Sequence, residues 1–453
     1  MHGNAKEQTE IAEEKELLDT AIVKAMERDR FGEITKEELQ KQVDNMAGEN
    51  KVTIGTVGKG LGALFIESNR YYEIDTDGNL SDYQIASYDP NPGDITKDTD
   101  GNTLDGSIEK PFEINCIEDL VAFSNMTNGT GIKIEDGKTV EITSSNDFND
   151  KYVVLKRTLD FESFISYANS RRTDFGDING NTEDGNTLIT EMTTGTGFRP
   201  VYEFHGSFNG NNNEIQNLYI NTEGKAGLFI GDTNWSTGAI QKVENFGITG
   251  NITSLNSYAA GICCKNAKEI INCWNKANIT GRGWVAGICI RQEGTIQDCY
   301  NTGNITNNVA SFGLTGGIVV GLGGETLINC YNTGNINDNN VYFTGGLASG
   351  HGNNSTTAIN CYNTGEINGG RAGGIIGVNG IATNCYNTGK IASNQYAGGI
   401  VGSGAQEIYN CYNTGEIKGN YVGGITLKTS KKIVNCYNIG NVQGGRVGRN
   451  SRS

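Results

Sequence analysis

One phrase, Asn-Cys-Tyr-Asn-Thr-Gly-x-Ile, limits the fold of this chain more than any other feature. It stands at 329–336, 360–367, 384–391 and 410–417, with altered copies at 272–275, 299–305 and 435–442. A second phrase, Ala-Gly-Ile, Gly-Gly-Ile or Gly-Gly-Leu, alternates with it at 260–263, 286–290, 316–321, 345–350, 373–377, 398–402 and 423–426. The cysteines at 273, 299, 330, 361, 385, 411 and 436 follow one another at intervals of 26, 31, 31, 24, 26 and 25 residues. A period in this range with variable loops marks a solenoid or a propeller. A propeller blade needs roughly 40 residues for four strands, whereas each unit here has room for two or three short ones. One unit therefore predicts one coil of a right-handed parallel β-helix. The chain is expected to be mainly β, a solenoid of about eight coils and roughly 40 Å long at the usual stacking distance.

Side chains alternate along a strand, so Cys361 is expected inward, Tyr362 outward and Asn363 inward or at a corner, with Gly365 turning the chain. Coils stacked roughly 4.8 Å apart place like residues over like. The predicted core ladder is Cys273, Cys299, Cys330, Cys361, Cys385, Cys411 and Cys436. The predicted outward row is Trp274, Tyr300, Tyr331, Tyr362, Tyr386, Tyr412 and Tyr437. Phe246 takes the cysteine position of an earlier coil, which marks the slot as one for a compact apolar group.

The pairing of GGIVG (398–402) with NCYNTGxI resembles the GLUG-repeat proteins, named for a Gly-Leu-x-Gly motif and found in bacterial surface proteins. SFNGNNNEIQNLYI (207–220), AGLFIG (226–231) and VENFGITGNI (243–252) resemble the usual opening of such an array. KPFEINCIEDLVAFSN (110–125) is similar to the segment that begins and caps it. The resemblance spans about residues 110–447 and implies a β-helix displayed on a bacterial surface. The chain departs from the motif in having Ile more often than Leu after the glycine pair. It also stops soon after Gly444-Gly445-Arg446, and a bare solenoid end exposes strand edges and core, so truncation is expected there.

Residues 5–29 carry apolar side chains at helical spacing, and Thr35 to Glu38 form a capping box for a second helix with Leu39, Val43 and Met46 on one side. Strands are predicted at 52–57, 63–67 and 71–75, the last turning back at Asp77-Gly78. This small α+β order resembles the soluble part of pilin-like proteins of Gram-positive bacteria. The apolar half of their long first helix is missing, so the resemblance is partial. It implies an exported protein whose membrane association runs through an absent N-terminal anchor. The expected divisions are 1–82 for this module, 83–109 for a polar acidic linker, 110–197 for the capping segment, 198–447 for the repeats and 448–453 for a tail.

Composition narrows the function. The chain has 64 Gly but only 4 Pro, whereas disordered linkers and collagen need both. These glycines serve tight turns and close stacking of backbone. A net charge of −16 argues against a polyanionic partner such as nucleic acid and against an anionic membrane surface. No run of 18 apolar residues predicts a membrane span, and no signal-peptide pattern opens the sequence.

The 11 cysteines have no Cys-x-x-Cys spacing, and Cys263-Cys264 has no zinc-ligand spacing. Ladder neighbours near 4.8 Å exceed the roughly 3.8 Å between Cβ atoms of a disulfide, so buried thiols are expected. Cys116 lies outside the ladder. Polysaccharide-degrading β-helices need acids clustered on one strand row. Here Glu366 and Glu416 share a slot with Asn304, Asn335 and Lys390, which reads as a solvated face, while Glu325, Asp338 and Glu407 are scattered. Arg371 reads as isolated, and His2, His205 and His351 form no triad. The runner-up reading would need an acidic cluster from loops 338–342 or 351–357.

Asp75 to Asn79 and Asp98 to Asn102 echo the core of a calcium loop but read better as Asp-Gly turns. Gly58 to Gly62 reads as a hairpin loop rather than a phosphate loop. No catalytic residue, metal or cofactor is expected. The tyrosine row suits glycan rings or a partner protein, against the simpler reading that it shields backbone. A neighbouring row of Thr302, Thr333, Thr364, Thr388 and Thr414 is a thin basis for ice binding. The expectation is a non-catalytic, extracellular structural or adhesive protein that meets host or environmental glycans or surface proteins. The alternative is a carbohydrate-binding or polysaccharide-degrading β-helix.

Overall fold

The computed structural model describes residues 2–28, 34–49, 51–57, 60–65, 68, 70–81, 84–85, 93–135, 138–161, 195–231, 239–308, 312–321, 324–338, 342–351 and 355–448. Helix α1 (His2–Arg28) buries Leu18, Ala21, Ile22 and Ala25 on one face. Helix α2 (Lys36–Ala47) starts where the Thr35 hydroxyl accepts the Glu38 N–H at 3.3 Å. Leu39 and Val43 are buried as the spacing predicts, but Met46 in the last turn is exposed and its sulfur meets Lys24 Nζ at 3.9 Å. Both helices pack with an antiparallel sheet of β1 (Val52–Val57), β2 (Gly60–Phe65), β3 (Arg70–Ile74) and β4 (Gln84–Ile85). Val57 pairs with Gly60, so the Gly58-Lys59 stretch is the β1–β2 connection, and those two residues lie outside the described ones.

The stretch expected as a linker is folded from Gly93 onward. Ile95 enters the main core, Glu113 N–H donates to its carbonyl at 3.1 Å, and Gly93 N–H reaches the Asp119 carboxylate at 2.6 Å. Its polarity misleads because the acids satisfy their own turns while Ile95 and Leu104 are buried. Asp98 accepts the N–H groups of Asp100 and Asn102, and Asp75 those of Asp77 and Asn79. Both calcium-like segments are thus closed Asp-Gly turns, with Gly78 and Gly101 left-handed at φ 84° and 82°. Pro90 and Pro92 lie outside the described residues.

The capping segment opens with β5 (Phe112–Ile114) and helix α3 (Ile117–Asn128), whose start is fixed by Asp119 accepting the N–H groups of Asn115 and Cys116 at 2.7 and 3.1 Å. Helix α3 plugs the end of the solenoid, burying Ile117, Leu120, Val121 and Phe123. Edge-to-face phenylalanines (Phe112, Phe148, Phe123, Phe204) continue the core into the first coils. Of the capping segment expected at 110–197, residues 162–194 lie outside the described ones, as do 449–453 of the tail.

Beyond the cap the chain winds as a parallel β-solenoid of about eight coils, each strand pairing with its counterpart one coil on. Phe246 pairs with Cys273, Trp274 with Tyr300, and the register then runs Tyr331, Tyr362, Tyr386, Tyr412, Tyr437. One coil contains Gly380–Thr383, a corner at Asn384, Tyr386–Asn387, a second corner at Gly389, Ile391–Gly398 and Val401–Ser403. Glycine is required where coils touch backbone to backbone. A Cβ at Gly365 would collide with the Gly334 carbonyl, and one at Gly374 with the Gly399 carbonyl and the Asn387 side chain.

Candidate functional site

Each coil turns at the residue before its cysteine, Asp298 in the coil of Cys299 and asparagine in the others. Asn272, Asn329, Asn360, Asn384, Asn410 and Asn435 all have φ between 49° and 54°, a left-handed conformation that asparagine tolerates better than most residues. This turn takes the cysteine N–H out of the strand ladder. The sulfur one coil on accepts it, from Cys273 to Cys299 at 3.3 Å and from Cys330 to Cys361 at 3.4 Å. Each thiol in turn donates to the carbonyl two residues back, Cys361 to Ile359 at 3.2 Å. In the cysteine coils the slot thus holds more than a small apolar group, since the sulfur is also a soft acceptor, a role that Phe246 does not fill in the earlier coil. Cys273, Cys299, Cys330, Cys361, Cys385 and Cys411 are buried and Cys436 half-buried, and all eleven cysteines carry reduced thiols. Burial pushes the Cys299 and Cys330 thiols up, and the Cys385 hydrogen bond brings Cys411 to about 12. Those three thiols stay protonated at neutral pH.

A second interior ladder is made of the asparagines after tyrosine. Asn301 donates to Asn332 at 2.7 Å, Asn332 to Asn363 at 2.7 Å and Asn363 to Asn387 at 2.8 Å, and each also donates to the glycine carbonyl two residues on. Buried amides are costly only when unpaired, and here each neighbour along the rod pairs the last.

Outside these ladders lies the predicted aromatic row. From Tyr300 to Tyr437 successive rings are 4.8 to 5.3 Å apart and within 7° of parallel. Trp274 opens the stack 6.1 Å from Tyr300, with its indole N–H on Glu214 at 2.5 Å. Because every inner ring is covered on both faces by its neighbours, the row offers solvent ring edges and hydroxyls. Partial burial pushes the Tyr331, Tyr362 and Tyr386 phenols above their usual pKa. The neighbouring threonines Thr302, Thr333, Thr364, Thr388 and Thr414 are exposed.

A second aromatic row was not read from the sequence. Register places Trp284, Leu314, Phe343, Arg371, Tyr396, Tyr421 and Arg446 over one another in successive coils. Arg371, which reads as isolated in the sequence, lies over the rings of Phe343 and Tyr396 at 5.4 Å each and of Tyr342 at 5.7 Å. Arg446 lies 5.6 Å from the Tyr421 ring. Tyr396 and Tyr421 meet edge to face at 67°, and Phe312 packs on Tyr342 at 67°. These rings are tilted rather than stacked, and Phe312 and Tyr421 are exposed. Loops of unequal length hide the register, because the partners of Arg371 are a coil away in either direction.

The acids form no shared row among the described residues. Glu325 is buried and takes the Thr356 hydroxyl, while Asp338 takes the Thr344 hydroxyl at 2.7 Å. Glu366 is exposed, and Glu416 pairs with Lys418 at 3.2 Å and Lys390 at 3.8 Å across the variable corner. Residues 339–341 and 352–354 of the two loops named above lie outside the described ones. His205 bridges Asp147 at 3.1 Å and Glu203 at 3.2 Å, and the buried Lys265 reaches Glu203 at 2.5 Å. The ring is held between two carboxylates, with no hydroxyl or thiol bonded to it among the described residues. This relay ties the cap to the first coils. No group of His, Cys, Asp and Glu among the described residues is arranged to hold a metal ion. No described helix is long and apolar enough to cross a membrane.

No family model and no curated protein matches the chain. It is similar to a crystal structure described as a "putative immunoglobulin A1 protease" from Bacteroides ovatus, at 17% identity over 80% of this chain and 91% of that one, with a TM-score of 0.35. At that score the likeness carries no argument about activity. The class the fold defines is a parallel β-solenoid repeat protein.

Proposed function

We propose that this chain is a non-catalytic structural and adhesive protein of a bacterial cell surface. In this reading it is a GLUG-type rod whose solenoid gives reach, while the pilin-like N-terminal module gives attachment. The observation that carries the reading is the set of side-chain ladders. Cysteine, asparagine and tyrosine each repeat once per coil and bond or stack to the copy above and below. Stability then comes from neighbour-on-neighbour contact, which makes a stiff rod. Its outer rows become regular arrays that a glycan or protein surface meets several times over, and repetition of weak contacts raises avidity.

The test is a binding screen of the purified chain against arrayed glycans and extracellular-matrix proteins, with the Tyr386→Ser/Tyr412→Ser double variant beside it. The expected result is retention of a ligand that is recovered chemically unchanged. Loss of that binding in the double variant would place the contact on the stacked tyrosines, and its survival would place it on another row. A folded rod that binds nothing, or one that releases cleavage products, overturns the reading.

A further inference from the structure

We propose that the row Arg371–Tyr396–Tyr421–Arg446 binds a short acidic oligosaccharide, one whose sugars carry carboxylates, laid along the rod axis with one sugar per coil. The proposal rests on the adhesive reading above and deepens it by naming a face and a ligand class.

Charge is the first argument. The chain as a whole carries −16. The four stretches that carry this row, 368–373, 392–398, 418–423 and 443–448, hold Arg371 and Arg446 and no Asp or Glu, while Lys418 among them is paired with Glu416 at 3.2 Å. A locally cationic strip on an acidic molecule is complementary to a compact anion. The surrounding negative charge disfavours a long polyanion, which is why a ligand of a few sugars fits better than nucleic acid. Guanidinium is also the side chain suited to two-pronged recognition of a carboxylate.

Geometry is the second. The four residues pair in register in four successive coils. At the usual coil spacing the two guanidiniums stand about 14 Å apart, three steps of roughly 4.8 Å. One such step is close to the length that one pyranose ring adds to an extended chain. A tetrasaccharide would therefore place its end carboxylates at Arg371 and Arg446 and its middle rings at Tyr396 and Tyr421.

The state of the rings is the third. The inner rings of the stacked row from Tyr300 to Tyr437 have both faces covered, whereas Tyr396 and Tyr421 are set at 67° and Tyr421 is 38% exposed. One face of each ring is taken by a guanidinium, Arg371 on Tyr396 and Arg446 on Tyr421, so the tilted pair offers a sugar the exposed part of Tyr421 beside a fixed cation. Arg371 is already oriented: its Nε donates to the Gln395 side-chain oxygen at 2.9 Å, and its guanidinium rests on Phe343 and Tyr396. A guanidinium held in place loses less freedom on binding.

The experiment uses the full chain, with tetragalacturonate as the probe, its fully methyl-esterified form as the uncharged control, and titration calorimetry at low and high salt. The expected result is binding of the acid, weakening at high salt, and at least tenfold weaker binding of the ester. Arg371→Gln/Arg446→Gln should weaken binding of the acid at least tenfold. Tyr421→Ser, at an exposed position, should weaken acid and ester alike. Lys390→Gln, which removes a positive charge at another corner, should leave affinity unchanged. Circular dichroism melts confirm that each variant is folded.

Equal affinity for acid and ester, an unaffected double arginine variant, or no binding of the acid overturns the proposal. If the chain holds another glycan or a matrix protein in the screen above while tetragalacturonate fails, this assignment falls and the adhesive reading stands. If nothing binds in either experiment, both fall.

Discussion

The N-terminal module and the solenoid solve the problem of buried polarity in opposite ways. The module relies on one charged network that occurs once. Glu14, nearly buried, accepts from Arg70 Nε at 2.8 Å, from the Tyr72 hydroxyl at 2.7 Å and from the Ser68 hydroxyl at 2.5 Å, and Arg70 also reaches Glu10 at 3.1 Å. This partnership holds the Arg70 guanidinium above its usual range, and burial with the Glu14 bond pushes the Tyr72 phenol up. The later coils of the solenoid instead bury neutral thiols and amides that bond to their own copies. A unique ion pair fixes one arrangement of helix on sheet, and removing either partner strands a charge. A ladder distributes the same task over many equivalent steps, each felt chiefly by its neighbours.

That contrast can be broken in four ways. The largest effect is expected from Cys361→Asp, which places an acid where the interior supplies no cation, at a cost on the order of 4 kcal/mol or the matching shift in the acid's pKa. Denaturant unfolding should show the loss in the solenoid transition, and hydrogen exchange should confine it to adjacent coils. An unchanged melt would mean that the cysteine does not face inward. Next comes Glu14→Gln, expected to cost about 3 kcal/mol by leaving Arg70 buried without its main partner. Only the module's transition should move; a joint shift would make the two regions one cooperative unit.

Asn360→Ala should cost about 1 to 2 kcal/mol because its φ is 54°, while Asn360→Gly should cost far less. Equal losses would show that the side-chain bonds of Asn360, rather than its backbone, hold the corner. The smallest effect is expected from Tyr362→Ser, about 1 kcal/mol from two lost stacking contacts. A loss as severe as that of Cys361→Asp would reverse the assigned facing.

Much of this molecule was legible in advance. The Cys-Tyr-Asn order set which side chain faces in and which out, because alternation along a strand is local. The Thr35 cap, the hairpin order of the first strands and the closed Asp-Gly turns were legible for the same reason. The polar stretch from Gly93 was not, because burial of Ile95 depends on a partner surface rather than on its own neighbours in sequence.

By itself, the sequence determined the repeat, its period and the facing of its ladders, since each follows from residues a few positions apart. Only the tertiary structure decided what sits beside what across coils. It set Arg371 between the rings of Phe343 and Tyr396, drew His205 between Asp147 and Glu203, and made the sulfurs of Cys299, Cys361, Cys411 and Cys436 acceptors for an N–H one coil back. Those partners lie a coil or more apart along the chain, and unequal loops erase the spacing that would have revealed them. Stacking restores it, because parallel pairing aligns coils by backbone register whatever the length of the loop between them.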